Sequence, residues 1–337
     1  MWRHTFLALL CCLLAACEQR GAAASETQPP AAATHVKPAA SATRPISSAP
    51  PGQRAHPAPS AHASLGARRA RRLRYHYPST ALGEIHVVVD IPATDKPLPV
   101  LIALHGWGEA LKGSRRGAQG WIKDYGLPRA LTRLASPPLD GKEDFGGFFD
   151  PARLARMNAQ LSRSPYEGLI VVCPYTPRGM LSGFEHVEAY AEFLVSDLLP
   201  RVRRDAPAIP LADATGIDGV SLGGRSALLV GFARPQAFGS VASLQAAFYA
   251  REIRALVERG KRAFKKNPRL RLRLLTSRHD GYREVNHNIG KGLKKAGVAV
   301  QLDEVPGPHT YGFNRGPGVY EMLLWHDRSL RNKKPWK

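Results

Sequence analysis

Three residues in the second half of the chain are of the right type to turn a hydroxyl into a nucleophile. Ser221 lies in "GVSLGG", where Gly219, Ser221 and Gly223 make the pattern G-x-S-x-G. A serine at its ordinary pKa is a poor nucleophile. It needs a base, the base needs an orienting group, and the developing oxyanion needs donors. His309, in "EVPGPHTYGF", offers a base in a loop late in the chain, and Asp280, in "LLTSRHDGYRE", offers a carboxylate ahead of it. The order Ser, Asp, His, with gaps of about 60 and 30 residues, is one of the orders in which such a triad occurs. Glycine at 219 and 223 suits a strand-to-helix turn too tight for side chains, with the Ser221 hydroxyl above it and a helix N-terminus behind. Alone, the five-residue pattern is weak, because chance supplies it.

Each choice has a rival. His186, His287 and His326 fall in predicted helices, where packing or solvation is the ordinary role, and His279 points away if its neighbour Asp280 points inward. Asp280 also suits capping the helix that starts near Tyr282, a role compatible with orienting a histidine. Asp303 is the alternative carboxylate. For the oxyanion, one backbone N–H belongs to Leu222, directly after the nucleophile. The other is assigned to Trp107, in the loop "HGWGEA" after the apolar run "VLIAL". Cysteine and histidine spacings point to no metal site, and no cofactor is called for.

These residues need a scaffold that brings loops from distant segments together. From Tyr75 on, strands alternate with helices. Strands are expected at "GEIHVVVDI", "LPVLIALHG", "GLIVVCPYT", "ATGIDGVS", "SVASLQAAF", "LRLRLLTSR" and "AVQLDEVPG". Between them, "EHVEAYAEFLVSDLLPRVRRD", "REIRALVERGKRAF" and "YREVNHNIGKGLKKAG" read as helices, as does the closing "GVYEMLLWHDRSL". Apolar strands separated by helices imply an α/β fold, a mostly parallel, doubly wound sheet with helices on both faces. Ligands bind at the carboxyl ends of such strands, and each candidate above follows one. No G-x-G-x-x-G or G-x-x-x-x-G-K nucleotide fingerprint is present.

With these elements, "LPVLIALHGWGE", "GVSLGG", "SRHDGY" and "GPHTYGF" resemble the α/β-hydrolase superfamily, and within it the esterases related to esterase D and feruloyl esterases. The resemblance covers roughly residues 80 to 330. It implies a serine hydrolase that cleaves a carboxylic ester through Ser221, His309 and Asp280. Acyl transfer, peptide hydrolysis and a non-catalytic envelope-binding module are the alternatives. Leu222 replaces a common Met, and Tyr311 and Phe313 stand where many members carry Trp. Residues 107–167 form a long insertion, a candidate lid or substrate-binding segment. In it, Phe145, Phe148 and Phe149 either line a pocket or anchor the segment to the core.

The N-terminus reads differently. "MWRHTFLALLCCLLAAC" has a basic start and an apolar run too short to span a bilayer permanently, as in a secretory signal. Leu14-Ala15-Ala16-Cys17 resembles a bacterial lipobox, with residues 1–16 removed and Cys17 acylated. Glu18 in the next position leans toward the outer membrane. Of four cysteines only Cys173 then remains as a thiol, in an apolar strand. Residues 17–74, rich in Ala and Pro and ending in "ARRARRLR", are expected to form a disordered tether, with the catalytic domain at 75–337. The formal net charge of +21 suits a solvated basic surface or an anionic envelope polymer. Nucleic acid is excluded as a partner, because no nucleic-acid-binding motif accompanies the charge.

Overall fold

The computed structural model describes residues 70–94 and 96–333; the signal, Cys17 and most of the tether lie outside them. Eight strands form one sheet: β1 (Arg71–Thr80), β2 (Gly83–Ile91), β3 (Val100–Leu104), β4 (Ile170–Pro174), β5 (Thr215–Gly219), β6 (Ser240–Leu244), β7 (Arg271–His279) and β8 (Val300–Pro308). Their order is β1-β2-β4-β3-β5-β6-β7-β8. β1 and β2 pair antiparallel, and β2 pairs antiparallel with β4, while every pairing from β4 to β8 is parallel. The doubly wound sheet expected from the alternating elements is thus present. The central strands β3, β4, β5 and β6 are buried at every position, as a sheet covered on both faces requires.

Two boundaries differ from the sequence reading. The sheet begins at Arg71, inside the segment assigned to the tether. Leu73, Tyr75 and Tyr77 alternate with polar residues at the strand period of two, so the last arginines of the basic run belong to an edge strand. Arg72 pairs there with Asp90 at 2.6 Å and Arg71 reaches the Asp205 carbonyl at 2.8 Å. Conversely, β6 stops at Leu244 although "QAAF" is apolar enough to continue it. Gln245 has φ 48°, a left-handed conformation that ends the strand.

The helical stretch expected at 185–205 forms as three contiguous pieces, Val187–Glu192, Phe193–Leu198 and Leu199–Asp205. The middle piece is wider than an α-helix. Pro200, which cannot donate a backbone hydrogen bond, lies just beyond it.

The insertion at 107–167 is largely helical, its longest helix running Pro151–Arg163. It is tied to the last helix, Val319–Ser329: Arg153 contacts both carboxylate oxygens of Glu321, at 2.6 and 2.9 Å, and Phe145 is buried and stacked on Tyr320. This supports the anchoring role for Phe145. Among the described residues no helix is long and apolar enough to cross a membrane.

Candidate active site

Close packing explains the glycines around Ser221. A Cβ on Gly219 would lie 2.5 Å from the Gly223 backbone, and one on Gly223 would lie 2.2 Å from the Leu104 carbonyl oxygen. With no room for side chains, the chain leaves β5, turns once, and enters the helix Leu222–Ala233. Ser221 sits at the apex with φ 58° and ψ −116°, a sparsely populated conformation for a non-glycine residue. Its N–H donates to the Leu244 carbonyl at 2.9 Å, and its own carbonyl accepts from Ala247 N–H at 3.1 Å. The strained turn is thereby clamped to the end of β6. Arg225, one turn into the helix, is buried and pairs with both oxygens of Glu252 at 2.7 Å.

Asp280 follows β7 and His309 follows β8, the next strand of the sheet. The Asp280 side chain is buried, and three donors converge on it. His309 Nδ1 lies 2.9 Å from Oδ1, Tyr282 N–H donates to Oδ1 at 3.0 Å, and the Thr276 hydroxyl donates to Oδ2 at 3.0 Å. Asp280 therefore caps the following turn and holds the histidine at once. With Asp280 as acceptor, His309 carries its hydrogen on Nδ1 and turns Nε2 away from the carboxylate. Tyr282 packs edge-on against the His309 ring at 5.4 Å. Among the described residues no hydrogen bond joins Ser221 Oγ to His309, a contact that often tightens only when substrate binds.

The rival residues stand apart from this pair. Asp303 bonds Arg273 at 2.7 Å in a cluster with Arg153 and Glu321. His326 is buried between Asp218 and Ser240, His287 pairs with Glu304 at 2.8 Å, His186 precedes the helix at Val187, and His279 is exposed.

The loop after β3 approaches Ser221 closely: a Cβ on Gly106 would lie 3.6 Å from Ser221 Cβ. Trp107 and Leu222 are each the first residue of a helix, so neither N–H has an acceptor within its helix. His105 fixes the loop from below. Its Nε2 accepts from Thr176 N–H at 2.9 Å, and its Nδ1 lies 2.9 Å from the Gly106 carbonyl, as donor. Burial lowers its pKa to about 4, so the ring is neutral at physiological pH.

A network that sequence reasoning missed joins this loop to the His309 loop. Glu109 is fully buried. It accepts from Tyr311 OH at 2.7 Å and, through a very short contact, from Tyr125 OH, which itself accepts from Gly106 N–H at 3.0 Å. Lys112 lies 3.4 Å from Glu109 and 2.9 Å from Asp124. Burial pushes the Glu109 carboxyl above the usual range, against the pull of the Tyr311 hydroxyl and Lys112. Tyr311 also requires Gly108, where a Cβ would meet its hydroxyl at 2.6 Å. The available signal was a lone acid in an otherwise apolar, glycine-rich loop.

Gln245 braces the same region, donating to Ser277 Oγ at 2.6 Å and to the Pro308 carbonyl beside His309 at 3.1 Å. Phe148 of the insertion packs against Gly307 and Gly312, on either side of His309.

A single mostly parallel sheet with a serine on a strained turn after a central strand is the arrangement of the α/β-hydrolase fold. Solved structures agree on the fold. A ferulic acid esterase aligns with a TM-score of 0.56 at 16% identity, covering 78% of this chain and 99% of its own. An S-formylglutathione hydrolase from Agrobacterium tumefaciens aligns at 0.52 and 16% identity, covering 77% and 96%. A fluorophosphonate-binding serine hydrolase from Staphylococcus aureus aligns at 0.53 and 16% identity, covering 77% and 99%. No curated protein matches the sequence. Residues 153–304, which run from the Pro151–Arg163 helix into β8 and include Ser221 and Asp280, match the family described as "Putative esterase". These likenesses show the α/β-hydrolase fold, and within it a stretch of the chain that is similar to esterases.

Proposed function

We propose that Ser221, His309 and Asp280 are the catalytic triad and that the Trp107 and Leu222 amides form the oxyanion hole. Ser221 Oγ bonds to the ester carbonyl carbon while His309 Nε2 takes its proton. Asp280 holds the Nδ1–H tautomer and stabilises the imidazolium, and the two amides donate to the carbonyl oxygen as it gains charge. Collapse breaks the bond to the alcohol oxygen, which leaves with the proton from His309. Water then repeats the sequence on the acyl-enzyme and releases the acid. The 2.9 Å contact between His309 Nδ1 and Asp280, together with a serine on a strained turn, carries this reading. Ser221→Ala should abolish hydrolysis of p-nitrophenyl acetate with the circular dichroism spectrum unchanged; turnover at the wild-type rate would refute it.

The N-terminal sequence supports an exported enzyme anchored through a lipid on Cys17, at the outer membrane given Glu18. The net charge of +21 suits an anionic envelope polymer as a neighbour, an association that should weaken as salt is raised. Incorporation of labelled palmitate, lost in Cys17→Ser, tests the anchor; incorporation that persists in the variant excludes it.

A further inference from the structure

The spacing of histidines in the sequence points to no metal site, but strand pairing creates a cluster that spacing cannot reveal. His76 on β1 is directly opposite His86 on β2 in the antiparallel register. Glu84 lies two residues before His86, so it projects from the same face. The register breaks between Tyr77 and Thr80, just where the hairpin turns next to Glu84. His76 Nε2 is 2.9 Å from Glu84 Oε1, and His86 Nδ1 is 3.9 Å from Glu84 Oε2. One donor atom from each of the three residues lies within 4.8 Å of the others. The two rings stack with centroids 4.4 Å apart, and Ser114 fixes His86 by accepting its backbone N–H at 2.8 Å and lying 3.2 Å from its Nδ1.

We propose that His76, Glu84 and His86 bind one divalent transition-metal ion of the zinc class, with water completing the coordination. Tetrahedral zinc with bonds of about 2.0–2.2 Å needs donors roughly 3.3–3.6 Å apart. Side-chain rotation must bring the observed 2.9 and 3.9 Å contacts to Glu84, and the two imidazole nitrogens within 4.8 Å of each other, to that separation. Two imidazole nitrogens and one carboxylate favour zinc, copper or nickel over calcium or magnesium, which prefer all-oxygen sites. The cation replaces the hydrogen now shared by His76 and Glu84. A neutral His76 keeps its proton by moving it to Nδ1, and the Ser114 hydroxyl hydrogen turns away from His86 Nδ1, so binding to the neutral rings releases no proton. Arg115 is the neighbouring cation that opposes the site, and the Glu84 carboxylate offsets it. The ion would cross-link the edge strand β1 to β2.

Calorimetric titration of the full chain with Zn2+ tests this independently of ester hydrolysis. The wild type should bind one equivalent with micromolar affinity and gain thermal stability, and Mg2+ should not compete. Because even outer-shell partners are worth roughly 10- to 100-fold in metal affinity, loss of a ligand in His76→Ala or Glu84→Gln should weaken binding at least that much. His287→Ala, which removes a histidine elsewhere, should leave the isotherm unchanged. Glu84→Gln is nearly isosteric and decides the matter if His76→Ala folds poorly. No saturable Zn2+ binding by the wild type, or wild-type binding in Glu84→Gln, would overturn the proposal.

Discussion

At the scale of single residues, the site depends on buried polar groups whose partners come from distant segments. Asp280 satisfies three donors with two oxygens, and one of them is the proposed base. Glu109 is held by two tyrosines: Tyr125 of the insertion, which also accepts from Gly106 N–H, and Tyr311, two residues past His309. It is a positioning residue, and its burial has a thermodynamic signature. Its folded-state pKa is raised, so between the unfolded and folded values the native state holds a proton that the unfolded state has released. Stability contributed by that proton falls as pH rises through this window, and above it the ionised carboxylate carries its full desolvation cost. Gln at this position keeps the shape without the charge. Glu109→Gln should therefore lower kcat by about 10- to 100-fold, since small misplacements of reacting groups cost that much, while its thermal midpoint at pH 8 stays level or rises. Unchanged kcat would show that the network does not position the loops.

At the scale of elements, the order of strands and helices was legible because buried strands and amphipathic helices have distinct periods. Ser221, Asp280 and His309 could be picked out because each follows a strand. Less could be read where tertiary contacts override local pattern. β1 starts inside a run of arginines because its other face is apolar, and β6 ends early at a left-handed Gln245 that an apolar "QAAF" does not announce. The glutamate–tyrosine network spans residues 109 to 311 and has no local signal beyond one acid in an apolar loop. Its members meet only when the sheet forms. The glycines of the Ser221 turn are different, since sequence and packing agree on them. Gly223→Ala should cost about 2–4 kcal/mol or prevent soluble expression, because its Cβ would meet backbone rather than a movable side chain. Gly281→Ala, with nothing within 4 Å of the added carbon, is the matched control and should unfold at the wild-type denaturant midpoint. Equal loss in both variants would contradict the packing account.

At the scale of the whole molecule, the sheet holds Asp280 and His309 on adjacent strands and Ser221 two strands further in, so the proposed triad follows from topology as much as from residue type. The insertion, which the sequence offered as a candidate lid or substrate-binding segment, reaches the same rim through Phe148. The Arg153–Glu321 ion pair ties it to the last helix. The central claim is that Ser221 is the nucleophile, and active-site labelling with a fluorophosphonate, followed by peptide mapping, tests it most directly. The expected result is one adduct, on Ser221, formed by the native protein and lost on denaturation. Absence of labelling, or an adduct on another residue, would contradict the account.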